Sequence, residues 1–130
     1  MREIKFRGKH IHAFLEPHNT GIWVYGYLCD DHYINSEELM GEMLVDKDSV
    51  GQYTGLKDKN GVEIYEGDIV KIYSKRKYVI GKVIYEHCGF IVDVMNNKEL
   101  EYGRVNLIEP FTEVIGNIYE NPELIEKEGK

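Results

Sequence analysis

Two turn signals close together decide what the middle of this chain can fold into. From Gly51 to Lys71 it reads GQYTGLKDKNGVEIYEGDIVK. Within it, Asp58-Lys59-Asn60-Gly61 stands between the strand-like run Gln52 to Leu56 and the run Val62 to Tyr65. An aspartate at the first corner of a turn accepts from its own backbone two residues on, asparagine tolerates bridge and left-handed geometry, and glycine takes the left-handed position that closes a bulged hairpin. Gly67-Asp68 is a second turn signal and opens Ile69-Val70-Lys71-Ile72-Tyr73, a β-branched and aromatic run. The residues between the turns are too few for a helix and suffice for a short strand.

The same pattern continues on both sides. Glu3 to Arg7 alternates polar and apolar, with Ile4 and Phe6 on one face. Ile22 to Leu28 places Trp23, Tyr25 and Tyr27 on one face and Ile22, Val24 and Leu28 on the other. Asp30-Asp31 turns this strand into His32-Tyr33-Ile34, and Met43 to Val45 and Val50 to Thr54 lead on to the central segment. Ser36 to Gly41 carries a serine cap and a terminal glycine, which predicts one helical turn. Beyond the centre, Lys75-Arg76-Lys77 forms a basic hairpin tip and Tyr78 to Tyr85 the returning strand. His87-Cys88-Gly89 and Asn96-Asn97-Lys98 are turns on either side of Phe90 to Val94, and Val105 to Ile108 and Thr112 to Tyr119 are the last strands. Gly26 and Gly81, isolated in strands, mark a close backbone approach or a bulge. Asn121-Pro122-Glu123 is a helix start, predicting one to two turns over 122–127 that hold only if Leu124 or Ile125 docks on the strands. The expectation is a mainly β chain of one domain, with a strand-rich N-terminal part (1–50), a barrel or sandwich (51–119) and a short helical tail (120–130).

Composition narrows the function classes. The chain has 130 residues, 42% hydrophobic and 30% charged, as in an ordinary globular protein. No apolar run is long enough to cross a bilayer, and MREIKFRGKH lacks the apolar stretch of a signal peptide, so a cytoplasmic location is expected. The net charge of −7 disfavours a nonspecific grip on duplex DNA. Cys29 and Cys88 form no CxxC pair and read as reduced residues at strand ends.

Several stretches resemble the YopX family, small bacteriophage and prophage proteins of unassigned function. They are Tyr53 to Gly61, Ile64 to Val70, the opening Arg2 to Lys9, the closing Val114 to Leu124 and the insert-like Trp23 to Leu28. Together they span nearly the whole chain, with little recognisable between Ser74 and Phe111. The resemblance implies an SH3-like barrel for the second half and implies no catalytic residues.

The residues themselves give no chemistry. There is no GxSxG, P-loop, HExxH or dinucleotide fingerprint, and Glu63, Glu66 and Asp68 are explained by turns and strand faces. No enzyme activity and no cofactor are expected. His10 and His12 would share a strand face, with His18 or His32 as a third metal ligand, but two packed or solvated histidines explain the pair, and no metal site is assigned. Two candidate surfaces remain. One is an aromatic platform of Trp23, Tyr25 and Tyr27, joined by Tyr53 or Tyr65, for a host or phage protein or a second copy of the chain. The same rings could instead stack on single-stranded bases, or the face could be the core of the N-terminal half. The other is a nucleic-acid surface built from Arg2, Lys5, Arg7 and Lys9 with Lys75, Arg76 and Lys77. The leading expectation is a non-catalytic protein-binding module or adaptor, and the alternative is a nucleic-acid-binding accessory protein.

Overall fold

The computed structural model describes residues 4–11, 22–74, 77–86, 89–94, 104–106 and 111–126. The chain forms two compact units, Met1–Tyr53 and Thr54–Lys130. The strands make two antiparallel sheets, and the division between units falls inside one strand, β5.

In the first unit, β1 (Phe6–Lys9) lies between β2 (Trp23–Asp30) and the start of β5 (Gly51–Lys57). Next to β2 come β3 (Tyr33–Ser36) and β4 (Gly41–Leu44), giving the order β4-β3-β2-β1-β5. One face of this sheet is apolar and buried. Val24, Ile34 and Val45 form its centre, with Phe6, Leu39, Met43 and Val50 packed around them. Each fully buried aliphatic side chain of this kind contributes about 2 kcal/mol. Gly8 sits over this core because a Cβ there would lie 2.9 Å from Val45 Cβ and Cγ2. Ile4, which alternation places on one face with Phe6, is exposed.

A short 3-10 turn, Lys47–Ser49, precedes β5 and is capped by Asp46, whose carboxylate accepts from the Asp48 amide at 3.1 Å. Ser49 ties it to the sheet. Its buried hydroxyl donates to the Asp46 carbonyl at 2.6 Å and accepts from the Lys9 amide at 2.7 Å.

The helical turn expected over Ser36 to Gly41 is a plain β3–β4 turn. Ser36 does act as a cap, accepting from the Leu39 amide at 3.1 Å. The chain then reverses through Met40 at φ 62 and enters β4 at Gly41. A left-handed methionine is strained, and Met40 is 89% exposed, so its side chain offers little compensating burial. Met40→Gly is therefore expected to raise stability by about 0.5–1 kcal/mol, read as a higher midpoint in chemical denaturation.

In the second unit, β5 continues from Thr54 and is followed by β6 (Glu63–Tyr65), β7 (Asp68–Ser74), β8 (Lys77–Glu86), β9 (Gly89–Val94), β10 (Arg104–Asn106) and β11 (Thr112–Asn117). A five-stranded sheet runs in the order β10-β9-β8-β7-β11. Alternation puts Val70, Ile72, Val83, Val92 and Val94 on one face, where they form a core with Ile64 and take Leu56, Val79, Phe90, Val105 and Val114 against it. As expected for an isolated strand glycine, Gly81 marks a close approach: a Cβ there would lie 2.6 Å from the Asp93 carbonyl oxygen. The tail helix α1 (Glu123–Glu126) packs against β8 with Leu124 and Ile125 half-buried.

The expected SH3-like barrel over 51–119 is not closed among the described residues. The sheet stays open at β10 and β11, and the turn at Asp58 occupies the outer edge of β11. Lys59 donates its amide to the Thr112 carbonyl at 2.9 Å, and the Val114 amide donates to Asp58 Oδ2 at 2.9 Å. A turn thus satisfies edge groups that would otherwise invite another strand.

The family-like motifs prove to be the joints of this unit. Asp58 Oδ1 accepts from the amides of Asn60 (2.8 Å) and Val62 (2.9 Å), and Gly61 takes the left-handed position at φ 83. Thr54 Oγ1 donates to the Ile64 carbonyl at 2.8 Å and accepts from the Leu56 amide at 3.1 Å. Asp68 Oδ2 accepts from the Tyr65 amide at 2.8 Å. Gly67, at φ 95, donates to the Val83 carbonyl and accepts from the Ile118 amide, both at 2.9 Å. Asn117 Oδ1 accepts from the amides of Tyr119 and Glu120, and Asn121 Oδ1 accepts from the Asn117 amide. Every one of these side chains is used on a backbone group.

Candidate binding face

Part of each residue set that sequence offered as a rival surface falls on one face of the first unit: Trp23, Tyr25 and Tyr27 of the aromatic set, and Lys5, Arg7 and Lys9 of the basic set. Strand β1 points Arg7 and Lys9 away from the core, with Lys5 just before it in the same alternation. Strand β2 points Trp23, Tyr25 and Tyr27 to the same side. The register sets Arg7 opposite Tyr25 and Lys9 opposite Trp23. The Arg7 guanidinium carbon lies 4.4 Å from the Trp23 ring centre, and Lys9 Nζ lies 5.2 Å from it. Across β1, Lys5 Nζ stands 5.3 Å from the ring of Tyr53, whose amide donates to the Lys5 carbonyl. Each such cation–ring contact is worth about 0.5–2 kcal/mol, more where water is excluded.

This face is therefore not the hydrophobic core of the unit, which lies on the opposite side at Val24, Ile34 and Val45. Its middle is closed and its β2 side is open. Arg7 and Tyr53 are only 6% and 5% exposed, whereas Tyr25 and Tyr27 are 39% and 59% exposed. Tyr53 is thus taken out of any exposed platform. So is Tyr65, which is buried in the second unit and donates its hydroxyl to Glu63 Oε1 at 2.9 Å. Arg2, Lys75 and Arg76 lie outside the described residues, and Lys77 pairs through its backbone with Ser74.

The histidine expectation divides. His12 and His18 lie outside the described residues. His10 is buried and bridges to Val45. His32 sits in the β2–β3 turn, where Asp30, Asp31 and His32 place ligand atoms within 4.8 Å of one another. These groups already bond each other. The His32 ring meets the Asp31 carboxylate at 2.5 Å, and Asp30 Oδ1 accepts from the Asp31 amide at 2.6 Å. Hydrogen bonding from His32, then from Asp30, holds the Asp31 carboxyl below its ordinary value. The turn explains the cluster without an ion.

Asp58 and Asp68 are the buried carboxylates among the described residues, and both serve backbone amides. Burial pushes the Asp58 carboxyl up, but the Val114, Val62 and Asn60 amides, joined by Lys59, outweigh it and hold the group below its ordinary range. A carboxylate held ionised by fixed backbone donors is a structural anchor and a poor general acid.

Sequence reading missed a second cation–aromatic surface, on the outer face of β7 and β8. The signal was present as the alternation of Lys71 and Tyr73 opposite Tyr78 and Ile80.

The fold and face define a small, two-unit, all-β protein whose signature residues build turns and whose open side chains form cation–aromatic surfaces. The chain belongs to the YopX family: the model described as YopX protein matches residues 18–126. It is also similar to protein EF1440 from Enterococcus faecalis, known from a crystal structure, at 25% identity and a TM-score of 0.57, covering 96% of this chain and 99% of that one. No curated protein matches it. No helix among the described residues is long and apolar enough to cross a membrane.

Proposed function

We propose that this chain is a non-catalytic protein-binding module, encoded by a phage or prophage and acting in the bacterial cytoplasm. Its partner docks on the β2 side of the first unit. The observation that carries this reading is the exposure of Tyr25 and Tyr27 on a strand whose opposite face is anchored by buried Val24. Tyrosines held on a rigid strand present apolar area at low entropic cost, as in interface hot spots. The second unit belongs to the same proposal as an SH3-like scaffold, a kind of small β unit that binds through loops and surface aromatics.

A second reading, nucleic-acid binding, is favoured by the cations of the same face, with Lys9 over the Trp23 ring and Lys5 over the Tyr53 ring. Affinity capture with the tagged full chain from a bacterial host carrying the prophage separates the two. A retained protein that survives nuclease and moderate salt supports the module. Recovery that disappears with nuclease and falls steeply with salt overturns it in favour of nucleic acid.

A further inference from the structure

The outer face of the second unit's sheet gathers cations around two tyrosines. Tyr73 on β7 is paired with Tyr78 on β8, and their ring centres are 6.2 Å apart. Lys71 Nζ lies 4.2 Å from the Tyr78 ring centre and 5.6 Å from that of Tyr73. Lys59 Nζ stands 4.4 Å from the Tyr73 ring centre. Glu113 is the one carboxylate in the group. It accepts from the Tyr73 hydroxyl at 2.9 Å and pairs with Lys59 at 3.7 Å. Glu113 thereby fixes the Tyr73 ring and holds Lys59 beside it. Glu113 stands opposite Lys71 in the β11–β7 register, but its ion pair among the described residues is with Lys59. Tyr78 is 53% exposed.

A local surplus of lysine on a protein of net charge −7 is complementary to an anion, and the adjacent rings are complementary to a flat, stackable group. Single-stranded nucleic acid offers both at one spacing. Its phosphates suit lysines, and its bases stack on aromatic side chains with little regard to sequence. Duplex DNA offers no free base faces to Tyr78, and an acidic peptide makes no use of the rings.

We propose that the Lys59–Lys71–Tyr73–Tyr78 surface binds single-stranded nucleic acid, with Tyr78 stacking on a base and Lys71 meeting the neighbouring phosphate. This goes beyond the first-unit reading and stands on different residues, so either site can fail without the other.

The test is fluorescence anisotropy of the full chain with a labelled oligo-dT and an oligo-U of about 10 nucleotides, a length within the range one small β fold covers. The expected result is salt-dependent binding, with a much weaker response to duplex of the same length. Tyr78→Ala should weaken binding about 10-fold, and Tyr78→Phe should retain it, because stacking needs the ring and not the hydroxyl. Lys71→Ala should also weaken binding and flatten the salt slope by about 0.7, the value for one phosphate contact on a single strand. Tyr85→Ala, at an equally exposed tyrosine outside this surface, should leave oligonucleotide binding unchanged. Circular dichroism checks that each variant is folded, and Tyr78→Phe guards against a merely structural effect. Absence of binding at low salt would overturn the proposal. So would folded Tyr78→Ala and Lys71→Ala proteins that bind like the parent, or a polyglutamate peptide that competes as well as oligo-dT.

Discussion

Asp58→Asn is expected to lower the unfolding free energy by about 3 kcal/mol, a large share of what a chain of this size has. The carboxylate accepts three backbone amides, from Asn60, Val62 and Val114, at 2.8–2.9 Å. An asparagine keeps one acceptor oxygen for the first two. It then has to turn its own NH2 toward the Val114 N–H, placing donor against donor in a buried site. The outer edge of β11 loses its cover with it. Urea denaturation of both proteins at neutral pH measures the difference.

The same substitution carries a pH signature. The fold holds the Asp58 carboxyl below its ordinary value. A depressed native pKa means that the unfolded chain takes up the proton first. The stabilisation is fully present above the ordinary carboxylate range, about pH 4, and is lost as pH falls toward the native value. The parent protein should therefore lose stability on acidification more steeply than Asp58→Asn, and the two should converge. A constant difference down to strongly acid pH would show that the amides do not act through the charge.

Gly26→Ala is expected to be as damaging for a different reason. Gly26 pairs with Phe6 on one side, and a Cβ built on it falls well inside contact distance of the Asn35 carbonyl oxygen, 2.9 Å from its carbon and 3.2 Å from Ser36 Cα. All three neighbours are backbone, so no side chain can swing away. Strand β3 must shift relative to β2, which unseats Ile34 from the core it shares with Val24 and Val45. A loss of about 3 kcal/mol or more follows from overpacking of this kind. Gly61→Ala makes the contrast. Nothing lies within 4 Å of a Cβ there, and only the left-handed φ of 83 is penalised, at about 1 kcal/mol. Thermal denaturation of the pair distinguishes the two causes. Equal losses would mean that β3 gives way to the added methyl at little cost.

Which parts of this were legible from sequence follows from the range of each interaction. The turn at Asp58 and Gly61 was readable because the bonds that make it close within four residues. The clasp of the same aspartate on Val114 reaches across 56 positions, and no local pattern announces it. Gly26 and Gly81 were readable as a close approach or a bulge, because an isolated strand glycine has few other uses; the unbroken register at Gly81 and the backbone each one meets, which decide for the close approach, were not. The Ser36 cap was visible, but its continuation was not. Met40 in the left-handed region overrides the helical reading, and a methionine there breaks the local preference that sequence reasoning relies on.

The candidate face was legible in its parts and not in its assembly. Alternation grouped Trp23, Tyr25 and Tyr27 on one face, and the basic cluster Arg2, Lys5, Arg7 and Lys9 was noted separately by its charge. Only the antiparallel register of β1 on β2 brings Arg7 and Lys9 of that cluster onto the aromatic face. Which face of β2 is buried could not be read, because both are apolar. Val24 is in the core, while Ile22 and Leu28 sit partly in solvent. Ile22 precedes the strand, and the register shifts between Leu28 and Asp30. Tyr53 and Tyr65 looked like partners of the platform by composition, and burial removes both.

The proposal that the open side of β2 binds a partner protein stands apart from the architectural role of the signature residues. It is tested most directly by capture with the double variant Tyr25→Ala/Tyr27→Ala, its denaturation midpoint measured on the same preparation. Both rings are substantially exposed, so the variant should stay within about 1 kcal/mol of the parent. It should also lose the nuclease-resistant partner protein that the parent retains. Retention of that partner at the parent's level by a folded double variant would contradict the account.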